Sequence, residues 1–429
     1  LGTRAALLGE DFLDADIAAR TLGFGRLGVL EAELLEAQQP ADLALVAAWA
    51  AGVNQYIAEI RDGSRPRPYG FATEQLDLLP EDWSPAHSLA VGKMLTFGLS
   101  STLEQDLLAT VAARLAPTFT DNLSLVRPAF DSFITDPPPA VPAPPGAMTG
   151  ASDGEARPRP GSWALPPGLR WRSTRRLFPA AHSNNWAVAG AHSDNGRPLL
   201  AGDPHQPTQS PGVLWPVHIH SRAAGGSLDV IGFAFPGTPG VQLGHNARLA
   251  WTATTSFADV TDIFSVKVRA GLVPLGGRTR SVLSRMETVT VKDLETGERS
   301  EQPLEVRWLD GVGVLLPEAM LPVPVSLIVD EGDPDLLLAW TGLEPSLGLG
   351  TFLALDRAQD LDAFEAAVEL QTVGAQNFVA ATAEGIAHRV HAHVPDRGEP
   401  ASRPMPGRVL SGADPAHLWT GALLSGAQL

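Results

Sequence analysis

The residues best suited to chemistry lie in a run of short polar motifs in the middle of the chain. Ser183 stands in the segment His182-Ser183-Asn184-Asn185, and His205 follows Ser183 by twenty-two residues. A serine hydroxyl is a poor nucleophile unless a base accepts its proton, and histidine has a pKa suited to assisting it. Taken singly each motif is weak, because Ser-Asn-Asn is more often a turn or a helix cap. The order and spacing of several such motifs is the specific signal.

Six motifs in a fixed order make up that signal. After the Ser183 segment come Gly202-Asp203-Pro204-His205, Pro236-Gly237-Thr238-Pro239-Gly240, Gly244-His245-Asn246, Leu249-Ala250-Trp251-Thr252-Ala253-Thr254 and Asp259-Val260-Thr261-Asp262. The region from Ser183 to Asp262 resembles the penicillin acylase family of N-terminal-nucleophile hydrolases, which includes penicillin, cephalosporin and acyl-homoserine lactone acylases. Weaker similarity lies on both sides, at Arg20–Phe24, Ala50–Asn54, Leu338–Thr341 and Pro404–Gly407. The family pattern starts earlier and continues past Leu429, so we expect an internal fragment or a member shortened at both ends.

The resemblance implies that Ser183 is the nucleophile and that the chain cuts itself between His182 and Ser183. Cleavage would give Ser183 a free α-amine, whose unperturbed pKa of roughly 7.7–8.0 leaves the neutral form available near neutral pH. That amine can relay the proton of the hydroxyl, so nucleophile and base belong to one residue. His205 matches a histidine that pairs with the serine in cephalosporin-type members; the alternative is a histidine that caps the end of a strand.

The resemblance also implies donors for the oxyanion that forms during acyl transfer. Thr255 matches the family's strand-end donor, which acts through its backbone amide, and the backbone amide of His205 is a further candidate. The family's asparagine donor and the acidic partner of the histidine are expected beyond Leu429.

A calcium loop is the third feature that the resemblance implies. Asp259, Thr261 and Asp262 match the family's loop, and Glu104 matches its ligand from the helical part. Ca²⁺ takes several oxygen ligands, and two carboxylates with a backbone carbonyl in one turn are suitable. One structural Ca²⁺ is therefore the expected cofactor, with a solvated acidic turn as the alternative.

Residues that match the family's substrate contacts predict an apolar acyl pocket. Gln206, Leu243 and Ala253 would come from the β-rich part, and Met94 with Phe97 from a long helix. Their side chains favour an apolar acyl group over a dicarboxylate. Trp340 also matches a contact position, but for this residue we favour a place in the core.

The elements that must hold these residues change character along the chain. The first third is helical: Pro40 suits a first turn, and Ser84-Pro85 predicts the start of a helix that runs to about Leu115. Ten prolines between Pro137 and Pro167 predict an extended spacer, of the kind that self-cleavage would release, or an ordinary interdomain linker. From Asn184 onward, short β-rich runs alternate with turn residues, and one helix is predicted near 361–370. We therefore predict three regions: a helical α-chain-like part at 1–128, the spacer at 129–182 and a β-chain-like part at 183–429.

Composition excludes several classes of function. The chain has 48 acidic against 31 basic residues, a formal net charge of -17, which argues against nucleic acid or an anionic membrane as partner. The absence of cysteine excludes disulfides, zinc–thiolate sites and thiol catalysis. The longest apolar run, about 43–53, is too short to span a bilayer. No signal peptide is visible from Leu1; the family nevertheless implies a periplasmic or secreted protein.

Together these observations predict an α+β protein with the four-layer αββα core of N-terminal-nucleophile hydrolases and an N-terminal helical chain. The predicted function is hydrolysis of an acylated amine, such as a β-lactam or an acyl-homoserine lactone, through an acyl-enzyme on Ser183. After self-cleavage the protein would be an α/β heterodimer. The alternative from another class is an inactive or incomplete relative that binds small acylated ligands.

Overall fold

The computed structural model describes residues 2–68, 71, 80–115, 182–206, 212–256, 258–329, 335–398 and 407–424. The predicted boundary at residue 128 and the spacer up to residue 181 lie outside these residues. Nine α-helices are described: α1 (Ala5–Leu8), α2 (Leu13–Thr21), α3 (Phe24–Gln38), α4 (Pro40–Arg61), α5 (Pro85–Ser100), α6 (Leu103–Leu115), α7 (Val325–Ile328), α8 (Leu349–Leu355) and α9 (Leu361–Val368).

Local sequence explains where the predicted helices begin and end. Pro40 occupies the first turn of α4, where its missing N–H costs nothing. Ser84 and His87 form a reciprocal cap at the start of α5, in which the Ser84 N–H donates to His87 Nδ1 at 3.1 Å. The helix predicted to continue to Leu115 is two helices instead, because Ser101 is extended (ψ 135°) between α5 and α6.

Within the described ranges the strands form two six-stranded sheets and three two-stranded pairs. The first sheet has the order β10-β11-β12-β13-β7-β17, and the second has the order β15-β14-β6-β5-β4-β3. All neighbours pair antiparallel except β17 and β7. The strands are β1 (His182–Val188), β2 (Leu199–His205), β3 (Trp215–His220), β4 (Asp229–Ala234), β5 (Leu243–His245), β6 (Leu249–Thr255), β7 (Thr261–Val266), β8 (Leu272–Leu275), β9 (Arg278–Ser281), β10 (Leu283–Lys292), β11 (Arg299–Leu309), β12 (Gly313–Leu315), β13 (Asp335–Trp340), β14 (Ala375–Thr382), β15 (Gly385–Ala392), β16 (Val394–Pro395), β17 (Leu410–Ser411) and β18 (Leu423–Leu424).

Both faces of the second sheet are covered near β6 and β14. On one face Trp251 and Phe378 join a buried cluster with Phe364 of α9. On the other face lies the hairpin β1–β2, which contacts β6 and β14. Helix, sheet and hairpin thus form three successive layers, and the predicted α+β class is confirmed.

The N-terminal helices pack on the first sheet. Phe24 of α3, Phe97 of α5 and Trp340 of β13 are fully buried in one cluster, and the rings of Phe97 and Trp340 meet edge to face at 4.9 Å. By length and composition α4 is apolar enough to cross a membrane, although the apolar run read from the sequence is short. One such helix is weak support for a span, since a core helix or a signal sequence meets the same criterion.

Candidate active site

Strand register places Ser183 on the inner face of the β1–β2 hairpin. Directly paired residues of an antiparallel ladder share a face, so Ser183 lies beside Pro204, and Asn185 lies beside Gly202. Gly202 packs against β6: a Cβ at that position would lie 2.1 Å from Thr252 Oγ1. Ser183, half-buried and on the same face as Gly202, therefore points toward the second sheet.

Asparagine contacts tie this face of the hairpin to the sheet. The side chain of Asn185 donates from Nδ2 to the backbone oxygen of Asn377 at 3.3 Å. The Nδ2 of Asn377 in turn lies 3.2 Å from both Thr254 Oγ1 and the Thr255 carbonyl, to which it donates. Asn185 is two residues from Ser183, so these bonds hold the predicted nucleophile over the ends of β6 and β14. Sequence reasoning missed Asn377, which follows Ser183 by almost two hundred residues and lies in no motif of its own.

His205 lies on the outer face of the hairpin. Its register partner is His182, one residue before Ser183, so its ring projects away from the side that carries the serine. The ring is 46% exposed, and its Nε2 lies 2.8 Å from Oδ2 of Asp203. In this uncut chain the structure does not bring the His205 side chain to Ser183.

The backbone N–H of Thr255 is not used in the pairing of β6 with β14, as a donor to an oxyanion requires. Ser256 donates its N–H to the Ala375 carbonyl at 3.0 Å, so the adjacent Thr255–Gln376 pair is a non-hydrogen-bonded pair. The Thr255 amide therefore points away from β14. On that side β5 pairs with β6 only at Ala250 and Trp251, well short of Thr255. This geometry is compatible with the oxyanion role predicted for Thr255.

Two of the motifs have structural roles. Asn246 accepts the backbone N–H of Leu249 at 2.9 Å and donates to the Ala358 carbonyl at 2.7 Å, which ties the β5–β6 turn to the loop after α8. The loop that ends at Gly240 is held by Asp356, whose carboxylate accepts the Val241 N–H at 3.2 Å. Burial raises the pKa of Asp356 to about 7.

The predicted calcium turn is docked against the junction of α5 and α6. Thr102 Oγ1 lies 2.6 Å from Thr261 Oγ1, 3.3 Å from Asp259 Oδ1 and 3.1 Å from Asp106 Oδ2. The carboxylate of α6 that shares this cluster is Asp106, whereas the sequence match is Glu104, which is half-buried two residues earlier. Burial, together with the charges of Asp259 and Asp262, raises the pKa of Asp106 to about 8.

An arginine engages the three groups expected to bind calcium. Arg397 Nε lies 2.7 Å from Asp262 Oδ2, and its Nη2 lies 3.1 Å from Asp259 Oδ2 and 3.4 Å from the Thr261 carbonyl. Trp419 Nε1 donates to the same Asp262 oxygen at 2.5 Å. Among the described residues no group of three or more histidine or acidic side chains is arranged as metal ligands. The described side chains therefore do not fit a calcium ion in this turn, and the predicted cofactor remains a prediction.

The residues matched to the acyl pocket do not share one cavity. Phe97 is buried in the core against Trp340, and Met94 packs on the same cluster. Ala253 packs beside the cluster under α8 and α9, Leu243 lines a wide groove along β4–β6, and Gln206 is half-buried just after β2. The opposite face of α5 lines a cavity instead, with Leu95, Thr96 and Leu99. The sequence thus identified a helix, α5, that borders a cavity, but the matched residues Met94 and Phe97 lie on the other face of that helix.

Comparisons with known proteins agree with the sequence resemblance. The family model for penicillin amidase matches residues 1–429. The penicillin acylase 2 proenzyme of Pseudomonas sp. (strain SE83) is 29% identical over 290 residues, which are 62% of this chain and 31% of that protein. The acyl-homoserine lactone acylase QuiP of Pseudomonas fluorescens (strain Pf0-1) is 28% identical over 407 residues, covering 93% of this chain and 45% of that protein. The chain thus spans less than half the length of these curated relatives.

A solved structure also matches part of the chain. The thermostable penicillin G acylase from Alcaligenes faecalis aligns with 57% of this chain and 40% of its own, at 18% identity and a TM-score of 0.44. At that score the alignment supports no argument about the site.

Proposed function

The chain belongs to the penicillin amidase family, and from that membership we propose that it acts in an acylase that hydrolyses the amide bond of a small acylated amine. Ser183 would attack the amide carbonyl, the amine would leave with a proton, and water would hydrolyse the acyl-enzyme. The observation that supports this role best is the inward orientation of Ser183. The hairpin presents it to the second sheet at the end where the Thr255 amide points away from the ladder.

We propose further that the base appears only on maturation. A peptide nitrogen is not basic, so Ser183 needs cleavage after His182 to gain a free amine. The freed amine, with a pKa of roughly 7.7–8.0, is on the nucleophile's own residue and needs no help from the outward-facing ring of His205. The mature protein would then be a heterodimer of the segments on either side of the cut.

The direct test is Ser183→Ala, assayed by intact-mass analysis and by hydrolysis of a chromogenic acyl anilide. The wild-type protein should yield a fragment that begins at Ser183 and should show a burst of released amine, the sign of an acyl-enzyme. Ser183→Ala should remain uncut and inactive, whereas Ser227→Ala, at an exposed serine in the loop before β4, should behave as wild type. Turnover of Ser183→Ala at the wild-type rate would exclude Ser183 as the nucleophile, and absence of turnover in the wild-type protein would favour a binding function.

His205→Ala separates the two candidate bases. Loss of a general base typically lowers the rate by about 10²–10⁴-fold. Because the His205 ring lies on the outer face of the hairpin, we expect the rate of hydrolysis to fall by less than about tenfold, far below that range. A loss as large as that of Ser183→Ala would show that the hairpin turns His205 inward in the mature enzyme.

A further inference from the structure

Asn377 is a polar residue in the interior of the second sheet. It lies on β14, which pairs with β6 on one side and with β15 on the other. Asparagine is depleted in strands, and the next two residues on the same face of β14, Val379 and Ala381, are apolar. The β1–β2 hairpin covers this face, because Val379 lies opposite Thr252, which packs against Gly202 of the hairpin. Strand formation alone does not explain an asparagine at this position.

The main chain of Asn377 holds the strand that carries Ser183. Asn185, which lies on the same face of β1 as Ser183, donates from Nδ2 to the Asn377 carbonyl at 3.3 Å. That carbonyl also takes part in the ladder, because Asn377 and Thr254 form the hydrogen-bonded pair next to the non-hydrogen-bonded pair of Thr255. A carbonyl oxygen has two lone pairs, so it can accept both N–H groups. The hairpin is thus bonded to an atom whose position the sheet fixes.

The side chain of Asn377 holds the strand that carries the predicted oxyanion donor. Its Nδ2 donates to Thr254 Oγ1 and to the Thr255 carbonyl, both at 3.2 Å. The Thr255 N–H belongs to the planar peptide unit between these two residues, so bonds on either side of that unit restrain its orientation. Among the described strands, only β14 pairs with β6 beyond Trp251. The Asn377 amide therefore supplies a restraint that a second neighbouring strand would otherwise provide.

We propose that Asn377 is a positioning residue that sets the separation between Ser183 and the Thr255 N–H. One residue bonds both strands: its carbonyl holds β1 through Asn185, and its side-chain amide holds the end of β6. The oxyanion forms on the carbonyl that Ser183 attacks, so the Thr255 N–H stabilises it only if donor and nucleophile keep a fixed separation. The inference rests on the proposed amide hydrolysis, because it assigns a further residue to the same site.

The test measures kcat and KM on a phenylacetyl or an octanoyl p-nitroanilide, whichever the wild-type protein hydrolyses faster. Asn377→Asp keeps the size of the side chain but replaces the N–H donor with an oxygen that faces the Thr255 carbonyl. Because an oxyanion donor acts only in the transition state, kcat should fall by roughly tenfold or more while KM changes by less than about twofold. Asn195→Ala, at an exposed asparagine in the loop between β1 and β2, should keep the wild-type kcat.

A second variant tests the hairpin side of the same arrangement. Asn185→Ala removes the bond to the Asn377 carbonyl and leaves the Asn377 side chain in place. Its kcat should also fall by roughly tenfold, because Ser183 is then free to move relative to Thr255. Asn185→Ala combined with Asn377→Ala should lose less than the product of the two single losses, since either change alone already releases one strand from the other.

The outcomes distinguish the inference from the function beneath it. A wild-type kcat in Asn377→Asp, or a rise in KM at unchanged kcat, would overturn the positioning role while amide hydrolysis stands. Full multiplication of the two single losses in the double variant would overturn it as well, because the two bonds would then act independently. If Asn377→Asp does not fold, Asn377→Ala, which introduces no charge, takes its place in the comparison.

A separate measurement applies if the wild-type protein hydrolyses neither anilide. The proposed function then fails, and hydrogen exchange of the backbone amides measures the restraint itself. Asn377→Asp should speed exchange at the end of β6 and Asn185→Ala should speed exchange in β1, whereas Asn195→Ala should change neither. Unchanged exchange in the first two variants would refute the role of Asn377.

Discussion

Replacing Arg397 with alanine should destabilise the protein strongly. The guanidinium lies between Asp259 and Asp262, and the side chains of Arg397 and Asp262 are only 12% and 2% exposed. Removing one partner of a buried ion pair typically destabilises by about 3–5 kcal/mol, because the other charge remains buried without compensation. The Trp419 N–H remains on Asp262, but it is a dipole and replaces only part of the lost charge.

The assay is urea denaturation, with Arg61→Ala as the matched control. Arg61 pairs with Asp82 at 2.6 Å, but their side chains are 40% and 75% exposed, and pairs of this kind contribute less than about 1 kcal/mol. The loss in Arg397→Ala should therefore exceed the loss in Arg61→Ala several-fold. Losses of equal size would show that solvent screens the Arg397 pairs as well.

The same variant tests the relation to calcium. Because Arg397 holds the three predicted ligand groups of the turn, a chelator should leave the unfolding free energy of the wild-type protein unchanged. Arg397→Ala exposes two carboxylates to each other, so added Ca²⁺ should restore part of its stability by binding the folded state. A chelator that destabilises the wild-type protein, with recovery on adding Ca²⁺, would refute the reasoning and favour the calcium site predicted from the sequence.

Two further predictions concern residues outside this cluster. Burial raises the pKa of Asp356 from 3.8 to about 7, so the folded state keeps a proton that the unfolded chain releases, and stability falls as pH rises through this window. Asp356→Asn keeps an oxygen for the Val241 N–H but cannot ionise, so between pH 5 and pH 8 it should lose less stability in urea than the wild-type protein; equal losses would contradict the burial argument. Gly202→Ala should displace the hairpin and lower kcat/KM on an acyl anilide by at least roughly tenfold, because its Cβ would meet Thr252. Gly52→Ala, where a Cβ meets nothing within 4 Å, should leave kcat/KM unchanged, and an equal effect of both would refute the packing argument.

Local sequence was sufficient for much of the secondary structure near the site. β6 (Leu249–Thr255) contains the whole motif Leu249–Thr254 in the part of the chain predicted to be β-rich, and Pro40 and Ser84 mark the starts of their helices. These features depend on neighbours within a few residues: a cap, a proline at a first turn, or an alternation of apolar side chains. The short strand β5 was not predicted. It has only three residues, flanked by the polar Gln242 and Asn246, so it shows no clear alternation of apolar and polar side chains.

The arrangement of the site depended on contacts that are distant in sequence. A shift of one residue in register moves a side chain to the other face of a hairpin, so the spacing of Ser183 and His205 did not show that they face opposite ways. Arg397 follows Asp262 by more than one hundred residues, and only the packing of the loop after β16 brings its charge to that turn. Gln371 is similar: among the described residues its Oε1 has no hydrogen-bond partner although it is buried, and nothing in the neighbouring sequence indicates this. Burial and hydrogen-bond satisfaction are properties of the assembled layers, because each depends on which atoms the remote segments supply.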